Sequence, residues 1–174
     1  MNKLLVGPEK YRDRREDFGY EYLSFETRVL MPGQSFSGET GTCELAIVPL
    51  GGVCAVDSSR GRWPFVGGRA HVFSGMPHTL YLPIGTRFTV QSENGCDLAL
   101  CYSEATREFP ACLVTPDKVS IEIRGGGNAT RQINAMLPPS FPADRLLVVE
   151  VYTPSGNWSS FPPHKHDVHN PPGE

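Results

Sequence analysis

The fold is indicated first by residues 44–56, which read ELAIVPLGGVCAV. Apolar and β-branched residues fill both halves of this stretch, and Gly51 and Gly52 separate them. Short β-rich runs divided by turn residues are the pattern of a β-sandwich or β-barrel. We therefore predict β-structure over 44–50 and 53–56 in an all-β protein.

Upstream of this stretch, residues 20–30 show the alternation of a half-buried strand. Leu23, Phe25, Thr27 and Val29 alternate with polar or charged neighbours. A period of two places neighbouring side chains on opposite faces of a strand. The MPG turn that follows is expected to end this strand.

Downstream, the same pattern repeats as far as residue 102. Further β-rich runs are predicted at 63–66, 70–73, 78–82, 87–91 and 97–102. The dipeptide Asn94-Gly95 lies between the last two runs and predicts a hairpin there. The 18 glycines and 16 prolines punctuate the apolar runs, as the tight corners of a small barrel require. No segment of the first hundred residues has a convincing helical period, which supports the all-β class.

The second half of the chain predicts a new β unit. Residues 103–118 have the composition of a connector. Strands are then predicted at 119–124, 129–137 and 146–152, with a triple glycine after the first of them. We expect residues 1–110 to form a complete N-terminal barrel. Residues 111–174 are expected to hold the connector and the first strands of a second barrel.

Composition excludes several classes of function. A net charge of −3 and a pI near 6.0 provide no field that would attract nucleic acid or an anionic membrane. No apolar run is long enough to span a bilayer, and the apolar N-terminal segment is too short for a signal peptide. We expect a cytoplasmic protein. Its five cysteines include no Cys-x-x-Cys pair, so we expect structural thiols and not a zinc ribbon or a disulfide framework.

The strongest sign of chemistry is a His-x-His pair near the C-terminus. In an extended segment, His164 and His166 would share one face and Lys165 would lie on the other. Two neutral imidazoles on one rigid element are typical metal ligands. Pro162 and Pro163 stiffen the approach to the pair. The alternative is a polar loop whose histidines are solvated.

Other histidines and arginines are weaker candidates. His71 and His78 are predicted on neighbouring strands, but no carboxylate or third histidine follows them at a ligand spacing. Structural or pocket-lining roles are favoured for both. Arg69, Arg87 and Arg131 are candidate clamps for a carboxylate, because a guanidinium binds carboxylate in a two-pronged manner.

Several runs carry a resemblance to a known family. Residues 157–167, NWSSFPPHKHD, closely resemble the signature of the 5-deoxy-glucuronate isomerases of bacterial inositol catabolism, relatives of the 4-deoxy-threo-hexosulose-uronate isomerases. Residues 36–41 (FSGETG), 44–52 (ELAIVPLGG) and 125–133 (GGGNATRQI) also resemble that family. The resemblance covers essentially the whole chain.

The resemblance implies a two-cupin fold with the metal in the C-terminal cupin. It implies a divalent metal (zinc, manganese or iron), an aldose-ketose isomerisation of 5-deoxy-glucuronate to 5-dehydro-2-deoxy-gluconate, and a sugar acid as the small-molecule partner. His164 and His166 would be ligands, and the family's remaining ligands, a glutamate and a distal histidine, are expected beyond Glu174. Metal sites usually have three or four protein ligands, so we expect this chain alone to supply half of the site.

The resemblance leaves the catalytic base unassigned. Lys165, Asp167 and Arg131 are the candidates for substrate contact or for support of the metal ligands. Asp167 could fix the tautomer of a ligating imidazole, or it could cap the loop. An incomplete second barrel would expose strand edges, so a homo-oligomer is expected.

Two other functions stay open at this point. The chain could be a non-catalytic cupin that binds sugar or serves as a structural, self-associating module, because the second barrel is incomplete. It could also be another metal-dependent cupin enzyme, such as an iron-dependent oxygenase, because that chemistry uses His-x-His as well.

Overall fold

The structure is a computed structural model that describes residue 7, residues 12–15 and residues 19–162. Within these ranges the chain forms eleven β-strands and two single-turn 3-10 helices at Pro116–Lys118 and Gly127–Ala129. The strands are β1 Leu23–Leu30, β2 Ser35–Glu39, β3 Cys43–Ser58, β4 Gly61–Gly67, β5 Thr79–Leu82, β6 Arg87–Gln91, β7 Cys96–Glu104, β8 Cys112–Val114, β9 Ser120–Arg124, β10 Arg131–Leu137 and β11 Val148–Tyr152. The all-β prediction is confirmed.

Strands β1 to β8 form two layers that share β3. The first layer has the order β1-β7-β3-β5-β8, and the second joins β2, β6, β4 and the C-terminal half of β3. The 16-residue β3 passes between the layers where its register shifts, between Pro49 and Gly51. Gly52 has a φ of 86°, and a Cβ there would collide with the carbonyl oxygen of Gly95. The glycine pair therefore bends one continuous strand and does not separate two.

Three local predictions are wrong. The dipeptide Asn94-Gly95 makes no hairpin, because β6 pairs with β2 and β3 while β7 pairs with β1 and β3. The loop instead carries the chain from one layer to the other. Residues 70–73 form a turn and not a strand. The predicted connector contains β8, which pairs with β5 at the edge of the first layer.

The first layer is buried on both faces, which explains the unbroken apolar run at its centre. Leu45 and Ile47 of β3 point into the barrel enclosed by the two layers, where they join a cluster of buried apolar side chains. Glu26 of β1 is buried on the same inner face and pairs with Arg28. Ala46 and Val48 point outward into a second apolar cluster. Since β3 has a neighbour on each side in the sheet and packing on both faces, residues 43–49 are all buried.

The outer face of the first layer is covered by a separate three-stranded sheet of order β11-β10-β9. Met136, Leu137 and Val148 of this second sheet pack with Ala46 and Tyr81 of the first layer. We call this contact the seam. The cupin-type fold is confirmed, while the division at residue 110 and the assignment of 111–174 to a second cupin stay predictions. Among the described residues, no helix is long and apolar enough to cross a membrane.

The cysteines are free thiols. Cys43, Cys54 and Cys96 are buried in the barrel, and Cys101 and Cys112 are half-buried. A hydrogen bond with Cys96, together with burial, raises the pKa of Cys54, and burial raises the pKa of Cys101 to about 11. Thiols held protonated in this way are poor nucleophiles, which agrees with structural roles.

Candidate functional site

The predicted metal pair lies outside the described residues. His164, Lys165, His166 and Asp167 are not among them, so their roles stay predictions. The segment that leads to them is anchored, because the backbone N–H of Trp158 donates to the carbonyl of Asn128 at 2.7 Å. The Asn157 side chain donates to the carbonyl of Thr130 at 2.8 Å. The start of the NWSSFPPHKHD run is therefore fixed to the turn between β9 and β10.

The two N-terminal histidines do not form a site together. They do not lie on neighbouring strands, because His71 is in a turn and His78 precedes β5. His71 Nδ1 accepts a hydrogen bond from the backbone N–H of Phe73, and its carbonyl accepts from Ser74. Burial and the nearby charge of Arg69 lower the pKa of His78. Within the described part of the chain, no group of three or more His, Cys, Asp or Glu side chains is placed to hold a metal ion.

Arg69 joins the barrel to the second sheet. Its side chain is 3% exposed, and its Nη1 donates to both carboxylate oxygens of Glu150 at 3.0 and 2.9 Å. Tyr152, two residues further along β11, donates its hydroxyl to the carbonyl of Val72 at 2.7 Å. The guanidinium proposed as a substrate clamp thus already binds a carboxylate of this chain.

Glu44 is a fully buried carboxylate at the other end of the seam. Oε2 accepts from the Tyr81 hydroxyl and from the N–H of Asp144, both at 2.9 Å. Oε1 accepts from the N–H groups of Arg145, at 2.7 Å, and Leu146. Four donors therefore satisfy a carboxylate that would be costly to bury alone. Burial and this carboxylate raise the pKa of Tyr81, so the phenol stays a donor.

Asp144 extends this contact to the end of β7. Its Oδ2 accepts from the backbone N–H of Thr106 at 2.8 Å, and its Oδ1 accepts from Arg107 Nε at 2.6 Å. These bonds hold the pKa of Asp144 well below its usual range. The segment that enters β11 is thus held twice: its backbone N–H groups donate to the Glu44 carboxylate of β3, and its own Asp144 carboxylate accepts from the residues that follow β7.

Three buried polar atoms lack a hydrogen-bond partner among the described residues. They are Arg69 Nη2, Thr79 Oγ1 and Asn134 Nδ2. Thr79 precedes Tyr81 on the outward face of β5, and Asn134 lies opposite Glu150 in the β10–β11 register. All three lie on the side of the first layer or of the second sheet where the two sheets meet.

The two remaining clamp candidates lie far apart in the fold. Arg87 begins β6, opposite Glu39 of β2. Arg131 begins β10, opposite Arg124 of β9, and its Nη1 donates to the carbonyl of Ala129 at 3.1 Å. Arg131 is half-buried near the turn that anchors residues 157 and 158, so it lies close to the start of the predicted metal-binding run.

Sequence reasoning missed the residues that connect the two sheets: Glu44, Asp144, Glu150 and Tyr152. For Glu44 a signal was present, since a carboxylate that opens an unbroken apolar run is either exposed or specifically paired. The pairing of Arg69 with Glu150, 81 positions apart, had no local signal.

Comparison with known proteins gives consistent matches over nearly all of the chain. The profile of the KduI/IolB family matches residues 9–174. The chain is 44% identical over 160 residues to a protein of Geobacillus thermodenitrificans named 5-deoxy-glucuronate isomerase, covering 91% of this chain and 58% of that protein. A protein of Halalkalibacterium halodurans with the same name is 38% identical, with coverages of 96% and 66%.

A solved structure is also similar. The crystal structure of an IolB-like protein from Salmonella typhimurium LT2 superimposes with a TM-score of 0.83 at 33% identity, covering 95% of this chain and 61% of that chain. The chain thus spans about three fifths of the length of these proteins. With a profile match over residues 9–174 and identities well above 30%, the chain belongs to the KduI/IolB family.

Proposed function

We propose that this chain carries part or all of an aldose-ketose isomerase that converts 5-deoxy-glucuronate to 5-dehydro-2-deoxy-gluconate. One observation carries the proposal, namely the 44% identity over 91% of the chain to a protein named 5-deoxy-glucuronate isomerase. The run at 157–167 supports it, because that run supplies the His-x-His pair that such chemistry can use.

The reaction requires two groups. A base takes the proton from C2 of the open-chain sugar acid, and the proton returns at C1 through a cis-enediol. An electrophile stabilises the oxyanion that develops on the carbonyl oxygen. A divalent metal, where bound, supplies this electrophile and orients the substrate oxygens.

Our proposal assigns the metal to His164 and His166 and treats them as an incomplete set. The pair lies outside the described residues, and those residues contain no group of three or more His, Cys, Asp or Glu side chains placed to hold a metal, so we derive no step through the metal. Arg131 is the proposed partner of the substrate carboxylate, because it lies beside the turn that anchors the run. Lys165 and Asp167 are proposed to contact the substrate or to orient the ligands.

The test is isomerisation of 5-deoxy-glucuronate together with metal analysis of the same purified protein. We expect ketose formation, and we expect His166→Ala to lower both kcat and the bound metal at least about 100-fold. His71→Ala is the matched control, since that histidine makes only turn contacts. It should leave both quantities unchanged.

Other outcomes distinguish the alternatives. Metal binding with oxygen consumption and no isomerisation would indicate an oxygenase. Absence of both metal and turnover would favour a non-catalytic cupin. Equal activity of His166→Ala and the unchanged chain would contradict the assigned ligand.

A further inference from the structure

The second sheet has one face against the barrel and one face turned away from it. Glu150 of β11 reaches the barrel, where it binds Arg69. The next residue, Val151, points to the opposite side, because neighbouring side chains of a strand alternate. Val151 lies opposite Ile133 of β10, which in turn lies opposite Glu122 of β9. Directly opposed residues share a face, so Glu122 belongs to the face turned away from the barrel.

Two arginines lie directly opposite each other on this face. Arg124 follows Glu122 by two positions, and the register sets it against Arg131, the first residue of β10. Their Cβ atoms are therefore about 5 Å apart. Like charges that are directly opposed destabilise a sheet, and local rules of this kind are broken chiefly at functional sites. The opposition is set by the β9–β10 register alone, and it does not depend on what covers this face.

Neighbouring acceptors hold the two guanidiniums. Arg124 donates to both carboxylate oxygens of Glu122, from Nε at 2.9 Å and from Nη2 at 2.6 Å. Arg131 Nη1 donates to the carbonyl of Ala129 at 3.1 Å. The hydrogen bond from Arg124, with a smaller contribution from the charge of Arg131, lowers the pKa of Glu122. One carboxylate and two guanidiniums leave a net positive charge, and Arg124 Nη1 and Arg131 Nη2 take no part in these bonds.

This arginine pair lies at the base of the turn that anchors the NWSSFPPHKHD run. Arg124 ends β9 and Arg131 begins β10, so residues 125–130 join them. Two carbonyl groups of this turn accept hydrogen bonds from residues 157 and 158. The positive charge therefore lies beside the start of the run that contains the predicted metal ligands. An anion is the ligand that this arrangement suits, and a carboxylate matches the fork of a guanidinium.

We propose that Arg124 and Arg131 together bind the carboxylate of a sugar acid. Arg124 thus joins the single arginine of the proposed function, and carboxylate binding explains why two like charges are kept in opposition. The sugar part of the ligand rests on the proposed function, whereas the preference for a carboxylate rests on the two guanidiniums. The competing explanation is a solvated arginine pair that Glu122 partly neutralises, and it predicts no specific anion binding.

Titration calorimetry of the purified chain with D-glucuronate tests this site, and D-glucose is the uncharged comparison ligand. We expect the unchanged chain to bind glucuronate at least about tenfold more tightly than glucose. Arg124→Gln and Arg131→Gln should each weaken glucuronate binding about tenfold and leave glucose binding unchanged, because each removes a charged donor. Arg124→Lys should retain more binding than Arg124→Gln, since it keeps the charge.

Arg62→Gln is the matched control for these variants. Arg62 is also an exposed arginine bonded to a carboxylate, that of Asp57 at 2.9 Å, and it lies on β4 of the barrel. Its replacement should change neither glucuronate binding nor glucose binding.

Urea unfolding of the same variants separates binding from stability. A like-charge pair costs stability and an exposed ion pair contributes little, so Arg124→Gln should leave the unfolding midpoint unchanged or raise it. Glucuronate binding that both glutamine variants weaken, in a chain without isomerase activity, would support the arginine pair and contradict the proposed function. Absence of glucuronate binding, equal affinity for glucuronate and glucose, glutamine variants that bind like the unchanged chain, or a lower unfolding midpoint in Arg124→Gln would each overturn the arginine pair.

Discussion

The two faces of the first layer are buried by different means. The inner face, toward the barrel, is packed mainly by apolar side chains such as Leu45, Leu98 and Leu100, and its buried carboxylate, Glu26, pairs with Arg28 of the same strand. The outer face, toward the second sheet, also buries Glu44, which accepts four hydrogen bonds. Apolar contacts are non-directional, whereas a saturated carboxylate has one geometry that satisfies it. The barrel is therefore held mainly by apolar burial, whereas the second sheet is placed on it by polar contacts to Glu44 in addition to apolar packing.

The largest expected effect is on the inner face. Leu98→Ala removes a fully buried side chain and leaves a cavity, so we expect the free energy of unfolding to fall by about 4 kcal/mol. Protection from amide hydrogen exchange should decrease across β1 to β8 and in the second sheet together, because that sheet packs on the barrel. Val29→Ala, at a 47% exposed position, is the control and should cost far less. If Leu98→Ala reduced exchange protection in the second sheet alone, the assignment of barrel stability to the inner face would be contradicted.

A smaller and more selective effect is expected on the outer face. Glu44→Gln replaces an acceptor oxygen with an NH₂ group that meets backbone donors, and we expect a cost of roughly 3 kcal/mol. Exchange should accelerate in β10 and β11 while β3 and β7 stay protected. Glu39→Gln, on the exposed part of β2, is the matched control. Uniform loss of protection, as in Leu98→Ala, would show that the two faces are not separable.

The smallest expected effect is a pH dependence at the seam. Burial and Arg69 lower the pKa of His78 below its ordinary value of 6.5, so the unfolded chain binds this proton more readily than the folded one. The neutral His78 ring contributes to the stability of the fold above pH 6.5. This contribution is lost as the pH falls toward the lowered pKa of the folded chain. The size is less than about 1 kcal/mol, since the ring is only partly buried and water still screens its charge. Urea unfolding of His78→Asn at pH 7.5 and about 5.5 should show a smaller acid loss than the unchanged chain.

Local pattern predicted the strands well where it reflected burial. The alternation in residues 20–30 predicted β1, and the run at 87–91 matches β6 residue for residue. Local pattern failed where contacts with residues distant in sequence decided the structure. Asn94-Gly95 has the composition of a hairpin turn, yet the strands on either side belong to different layers. The run at 70–73 has apolar residues but forms the turn that receives Tyr152.

The sequence by itself determined the all-β class and contains the His-x-His run, because periodicity, turn residues and short motifs are local properties. Tertiary structure alone decided that Arg69 pairs with Glu150 and that Glu44 holds residues 144–146, about 100 positions away. Such pairings arise only when the chain brings distant groups together and burial forces each polar atom to find a partner. That requirement has no counterpart in local sequence.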